Sequence, residues 1–502
     1  MATIRKQSIL SSLFIYAGFA IGAINVIFLF KWFFTPQQFG LTRILMDIAL
    51  IFTTICTAGT VTISIKFYPF YKYHLEKKKN DLLTMVFILV GLFCTALYFI
   101  LPILQPWVLR NFAQRSPEMI NYFHLVLPLT ISLVMFTMLE GFAWNIQKTV
   151  ASNFLKEFLY RMLTSLLIGF WAWGLITDFS TWMNFFSSLY FVSGAVLIFI
   201  LYRSKEYSIQ FKPSKVTKRL GPMMLRFGSA YFVSAILNIV AKTNDTLIIA
   251  SQSTGGLADA AIFTIATYLI TAMDVPQRSV VAAATPQIAL AWRDNDMAKL
   301  DRLYKKTALN LLIASSFIFG LIMVNQPVLM KIMGPQYGIL PTLMLVLGTT
   351  KIIDLGTGLN SQILQLSKNW RIDLFTNMFF VFLSILLNYM LTKRYGLMGT
   401  AVGGLIAMIS FNLIRFIYIK RIYNLQPFSW RNAAAACIAG GLILLVIQIP
   451  TAGHFIIDGI IRTFVFVGVF AILTIRLNIS EDITDLYRIT MEKIRSMGKK
   501  GL

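Results

Sequence analysis

The chain has 502 residues, 57% of them hydrophobic and only 13% charged, a balance that excludes an ordinary soluble domain. Its formal net charge is +24, yet Lys and Arg fall in short clusters between apolar runs, which argues against a nucleic-acid-binding face and suits a membrane protein with basic loops on one side. Cys56, Cys94 and Cys437 lie in separate apolar runs without a CxxC pair, and His74, His124 and His454 are equally scattered, so neither a disulfide framework nor a metal centre is expected.

A membrane-crossing helix needs about 20 apolar residues, and windows of that length divide the chain into about 14 segments. They cover 8–31, 41–65, 81–104, 119–144, 152–176, 182–202, 221–251, 259–285, 306–326, 341–366, 372–391, 399–419, 432–450 and 455–476. The first follows Arg5 and Lys6, is too long for the core of a signal peptide and shows no small-residue cleavage site, so it reads as a retained helix. The hydrophilic stretch Arg203–Gly221, with Pro213 and several lysines, separates six spans from the next six. Ahead of the ninth, Asp296–Thr307 places Met297, Leu300, Leu303 and Tyr304 on one face, the pattern of a helix lying at the membrane interface. Glu481–Met497 repeats that pattern with Ile483, Leu486, Tyr487, Ile494 and Met497.

Orientation follows from the connections. One side collects Arg5, Lys6, Lys77–Lys79, Lys148, Arg203, Lys205, Lys212, Lys215, Lys218, Arg293, Lys299, Arg302, Lys368, Arg371, Lys420, Arg421 and the basic tail. The other holds only Lys31, Arg110, Arg115, Lys331, Lys393, Arg394 and Arg462. Both termini are therefore expected in the cytoplasm. The organisation reads as an N-lobe over 1–202, a cytoplasmic linker over 203–220, a C-lobe over 221–420, two last spans over 421–480 and a cytoplasmic amphipathic tail over 481–502. Phe34–Leu41 and Ser253–Leu257, both short external turns before charged helices, echo one another, as repeated transporter halves do.

Charged residues inside these spans carry the functional signal, because an ionised group in lipid costs at least about 2.5–3.5 kcal/mol. Arg43 with Asp47, Lys242 with Asp245, Asp274 with Arg278 and Lys351 with Asp354 are each spaced to share a helix face. The first two pairs are close enough to a span end for snorkelling to explain them equally well. Asp274 and Arg278 flank Pro276, which is expected to kink the eighth span. Lys351 and Asp354 lie near the midplane, where snorkelling is hardest. Arg226 reads as an added cation or an interfacial anchor. Asn25 and Asn238 suit sugar hydroxyls or helix–helix hydrogen bonds alike. Glu140, Glu157 and Arg161 sit nearer the cytoplasmic end, where solvation is the ordinary explanation.

The turn Phe33-Phe34-Thr35-Pro36-Gln37-Gln38-Phe39-Gly40-Leu41, the central Asn244-Asp245-Thr246-Leu247-Ile248-Ile249-Ala250, Ala261–Ala266, Pro286–Ala289 and the late turn Tyr395-Gly396-Leu397-Met398-Gly399-Thr400-Ala401 follow one another in the order seen in a known family. In these stretches and in its span count the chain resembles the polysaccharide-transport and oligosaccharide-flippase branch of the multidrug/oligosaccharidyl-lipid/polysaccharide (MOP) exporter superfamily, relatives of the MATE transporters. The resemblance implies an all-α integral membrane protein with two pseudo-symmetric six-helix lobes around a central cavity, plus two C-terminal helices. It also implies a lipid-linked oligosaccharide moved outward across a bacterial inner membrane by alternating access, for O-antigen, capsule or exopolysaccharide assembly.

On that reading the protein is a transporter rather than an enzyme and needs no cofactor. Arg43, Lys242, Arg278, Lys351 and Arg226 meet the anionic cargo. Asp47, Asp245, Asp274 and Asp354 serve as charge partners or bind H+ or Na+. Asn25 and Asn238 touch sugar. Its partners are the cargo, the bilayer and polysaccharide polymerase or glycosyltransferases. A lipid II flippase, a MATE-type cation or drug antiporter and a polytopic glycosyltransferase or polymerase are the alternatives. The only D-x-D string, Asp294-Asn295-Asp296, is explained by helix capping, and no Walker-type phosphate loop occurs.

Overall fold

A computed structural model describes residues 2–76, 79–204, 209–450 and 454–482, with 484, 485, 488 and 492. The apolar face expected for the tail, Ile483 to Met497, lies outside the described residues. Every regular element among those described is helical. Among the described residues eleven helices are long and apolar enough to cross a membrane, or twelve if one bent pair counts as a single span. We number the main helices α1 (Leu10–Phe33), α2 (Pro36–His74), α3 (Leu82–Phe112), α4 (Glu118–Asn145), α5 (149–172), α6 (Phe179–Ser204), α7 (Lys215–Gln252), α8 (Gly256–Thr271), α9 (Asp274–Arg293), α10 (Met297–Val324), α11 (Leu340–Gly356), α12 (Asn360–Leu366), α13 (Arg371–Tyr423), α14 (Trp430–Ile447) and α15 (Phe455–Arg476).

Local chemistry sets the boundaries. Thr35 and Gln38 form a reciprocal capping box that starts α2 at Pro36, where a residue without an N–H is tolerated. Asp296 caps α10 by accepting from the Lys299 N–H at 2.8 Å, which accounts for the D-x-D string as expected. The stretch after it is not a separate interfacial helix. It forms the opening turns of α10, and Leu300 and Tyr304 are buried. The α13 helix runs for 53 residues, about 80 Å at 1.5 Å per residue, far beyond a bilayer core. Gly396, at φ 58° and ψ −143°, interrupts it in a conformation that only glycine adopts readily. The expected segments 372–391 and 399–419 lie on either side of that break.

The chain forms two compact units, one of Met1–Ile265 with Thr392–Leu397, the other of Ala266–Leu391 with Met398–Leu502. The change between them falls within α8 and not at the 203–220 linker, because α7 packs along both halves of α2. Polar ties hold it there. Thr246 of α7 donates to Asp47 at 2.6 Å, and Ser116 donates to the Ala250 carbonyl at 2.6 Å. In the second unit α14 and α15 pack on α10 through buried Leu309, Leu312, Leu442, Phe466 and Phe470.

Candidate functional site

Two interrupted helices of the second unit bring charge together. α8 and α9 bend by 46° across residues 272–273. Pro276 falls in the first turn of α9, where its missing N–H costs nothing, so the bend forms just ahead of the proline rather than at it. α11 ends at Gly356, and the chain turns through Thr357, Gly358 and Leu359 before α12; Gly358 has φ +70°. Asp274 begins α9, and Asp354 lies two residues before the end of α11. Lys351 sits between them, its Nζ 2.7 Å from Asp274 Oδ1 and 3.4 Å from Asp354 Oδ2.

The three side chains are 25%, 24% and 22% exposed for Lys351, Asp274 and Asp354, so they are shielded yet within reach of solvent or a ligand. Fully ionised, the triad carries one net negative charge. The sequence spacing suggests Asp274 with Arg278, but the partner of Asp274 is Lys351 on another helix. Arg278 is exposed and joins no ion pair among the described residues. Broken helices at membrane depth occur where backbone lines a cavity or is enclosed by protein, and here both breaks stand beside the same ammonium group.

A second buried network supports the α11–α12 break and escaped the sequence reading. Thr357 Oγ1 lies 2.8 Å from the Asp354 carbonyl and 2.9 Å from Asn412 Oδ1. Asn360 Nδ2 donates to that same Asn412 oxygen at 2.8 Å. Arg415, 2% exposed, donates to Asn360 at 3.3 Å and to Thr376 at 2.9 Å, and it pairs with Asp373. Asp373 further accepts from Ser361, Gln365 and Asn377. The guanidinium also lies 4.0 Å from the centre of the Phe411 ring. Arg415 and Asp373 are single charges in separate apolar segments, so a search for same-face pairs passes over them. Their signal is a lone arginine inside the run 399–419.

In the first unit Asp47 is 5% exposed and bonded to Thr246, so it is an interior group and does not snorkel. No ion pair among the described residues joins it to Arg43, whose Nε is buried without a hydrogen-bond partner. Asp245 is half-buried, while Lys242, Arg226 and Asn238 are exposed. Asn238 donates to Ser234 of its own helix. Asn25 is buried: its Nδ2 donates to the Arg161 carbonyl at 2.9 Å and its Oδ1 accepts from Ser165 at 2.6 Å. Its amide thus joins α1 to α5. Glu140 is not solvated; it is 4% exposed and lies 2.9 Å from Lys156. Glu157 pairs with Arg161 at 3.0 Å.

No protein-family model matches the sequence, and no curated protein matches it. Solved structures do match. A structure titled lipid II flippase MurJ, inward closed conformation, superposes with a TM-score of 0.70 at 13% identity, covering 92% of this chain and 98% of that one. An inward-facing multidrug resistance MATE family transporter of the MOP superfamily gives 0.60 at 16% identity, covering 83% and 94%. The chain has the fold of these two transporters. The polar breaks of the second unit and the buried Asp47 are places where this sequence departs from a plain apolar helix bundle.

Proposed function

We propose that the protein is a flippase that carries polyprenyl-pyrophosphate-linked oligosaccharide outward across a bacterial inner membrane by alternating access, for surface polysaccharide assembly. The observation that carries this reading is Lys351, an ammonium group held between Asp274 and Asp354 beside two helix breaks. A pyrophosphate cannot cross hydrocarbon unshielded, and a shielded cation offers it a charge-assisted bond stronger than water-exposed lysine does. The two carboxylates more than balance the charge of Lys351 while the site is empty, which limits the cost of keeping a cation there. When the cargo takes Lys351, the released carboxylates take up H+ or Na+. Arg43, Lys242, Arg278 and Arg226 supply further positive charge, with Asp47 and Asp245 as their acidic neighbours. Asn238, exposed on α7, keeps a sugar-contact role, whereas the Asn25 amide is already bonded within the bundle. Counting α5 as a span and dividing α13 at Gly396 brings the total to about 14 crossings.

Replacing Lys351 by Ala tests the reading in the native host. Surface polymer is expected to disappear while the amount of protein in the membrane stays unchanged. Normal polymer display would overturn the assignment. A second reading, flipping of lipid II, is favoured by the likeness to the MurJ structure and uses the same anion-binding chemistry. Complementation decides between the two: rescue of peptidoglycan synthesis in a strain depleted of its own lipid II flippase would replace the oligosaccharide cargo with lipid II.

A further inference from the structure

In the first unit, residues 209–214 ahead of α7 form a strap beside the ends of α3 and α6. The Gln210 N–H donates to Thr84 Oγ1 at 3.0 Å, and the Ser214 N–H donates to Asp81 Oδ2 at 2.8 Å. Thr217 donates to the same carboxylate oxygen at 2.6 Å, and its hydroxyl lies 2.7 Å from that of Tyr71. Asp81 is fully buried. Ser214 caps α7 through the Thr217 N–H, so the strap and the first turn of α7 are anchored at one carboxylate.

Ile209 and Phe211 of the strap line a cleft of about 460 Å³ together with Phe87, Ile88, Phe142 and Ile198. The lining offers almost nothing to a polar ligand: the Thr84 hydroxyl is engaged by the strap, and Tyr202 is the other polar side chain. Ile88, Ile198, Ile209 and Phe211 are nevertheless exposed, at 41%, 47%, 68% and 72%. Two of the lining residues are followed in sequence by a cation, whereas Leu139 is followed by Glu140, which is already paired with Lys156. Arg203 follows Tyr202 and lies 4.6 Å from the Phe199 ring centre, and Lys212 follows Phe211; both are exposed. An apolar cleft thus lies one residue from each of two exposed cations, at the helix ends that the Lys/Arg asymmetry assigns to the cytoplasm.

We infer that this cleft seats one acyl chain of an anionic phospholipid from the cytoplasmic leaflet, with the phosphate met by Arg203 and Lys212. The occupant holds the strap in place and, through Asp81, the start of α7. A neutral lipid would leave the two cations unmatched, and a polar solute would find no partners within. The cleft shares no residue with the proposed cargo site, and its test does not depend on the cargo.

Native mass spectrometry of the purified full-length protein, incubated with dioleoyl phosphatidylglycerol or dioleoyl phosphatidylcholine, tests the inference. A single phosphatidylglycerol is expected to be retained and phosphatidylcholine to be lost. Arg203→Gln and Lys212→Gln are each expected to weaken retention roughly fivefold, the factor corresponding to about 1 kcal/mol per basic residue at an anionic membrane surface. Ile88→Trp, which fills the cleft from an exposed position, is expected to abolish retention with unchanged elution. If that variant aggregates, Phe211→Ser opens the same wall from the strap and is expected to give the same loss. Equal retention of both lipids, undiminished phosphatidylglycerol in the cleft variants, or preference for undecaprenyl phosphate over phosphatidylglycerol would overturn it.

Discussion

Two lone charges buried within apolar spans, Arg415 and Asp373, illustrate how differently a cation behaves when it is sealed in and when it is merely shielded. Arg415 is 2% exposed and spends its donors on Asp373, Asn360 and Thr376. Removing it leaves Asp373 without its cationic partner in the interior, a loss of roughly 3–5 kcal/mol. Arg415→Met is therefore expected to lower the thermal unfolding midpoint in detergent sharply, and an unchanged midpoint would contradict the network as described. Lys351 is a quarter exposed, so water screens the carboxylates it leaves behind. Its replacement is expected to cost much less stability and much more transport. The sequence exposes Lys351, Asp274 and Asp354 as charges in apolar runs, which is why they are legible. It does not expose their pairing, because same-face spacing reads only one helix at a time and Lys351 reaches Asp274 on another. Thr246 as the partner of Asp47 was illegible for the same reason.

Between residues and the whole stand the breaks, and glycine decides one of them. Gly358, at φ +70°, turns the chain from α11 into α12, and a Cβ added there would come within 2.9 Å of the Ala308 Cβ. Gly358→Ala therefore combines a left-handed backbone penalty of about 1–2 kcal/mol with a collision against α10. A fall in the unfolding midpoint, together with loss of transport through displacement of Asp354, is the expected result. Helix extents were largely legible from hydropathy, and so was the break at Gly396 between the segments 372–391 and 399–419, but the interruptions in the second unit's charged site were not. Pro276 pointed to the right part of α8 and α9 while the bend formed ahead of it, and the turn at 357–359 carries no proline at all. The segment after α15 adds a pH-dependent tie. Asp482 lies 2.6 Å from both Lys306 and Asn310 in the first half of α10. Its partial burial alone would raise its pKa, but the bonds from Lys306 and Asn310 outweigh that and hold the carboxyl below the usual range. A carboxyl depressed in the folded state adds stability that is present above its unfolded pKa of about 3.9 and is lost as the pH falls through the folded value. Asp482→Asn is expected to remove this acid sensitivity, read as a flatter dependence of the unfolding midpoint on pH below about 4.

At the scale of the whole molecule, the alternation of apolar runs and basic loops predicts the number of crossings modulo two, which chemical labelling reads directly. Most helices declare themselves as crossings by length. The crossings that depend on argument are α5, which passes through a π-helical turn over Phe154–Leu159, the bent α8–α9 pair, and α13 with its break at Gly396. Single cysteines placed at exposed sites on either side of each, in a background with Cys56, Cys94 and Cys437 replaced by Ser, separate these cases. With a membrane-impermeant maleimide on spheroplasts, Asn111→Cys, Gln336→Cys and Tyr395→Cys are expected to label without permeabilisation. Lys148→Cys, Ala298→Cys, Lys368→Cys and Arg421→Cys are expected to label only after it. If α5 lay along the surface, or if α8 and α9 formed a re-entrant loop, Ala298 would appear on the opposite side from Lys148. If α13 were one crossing, Arg421 would label from outside and Lys368 would not. The basic residues make the expected pattern the stable one, because inverting the chain would place Lys148, Lys368 and Arg421 on the outer side while bringing only Arg110, Arg115 and a few other cations inward.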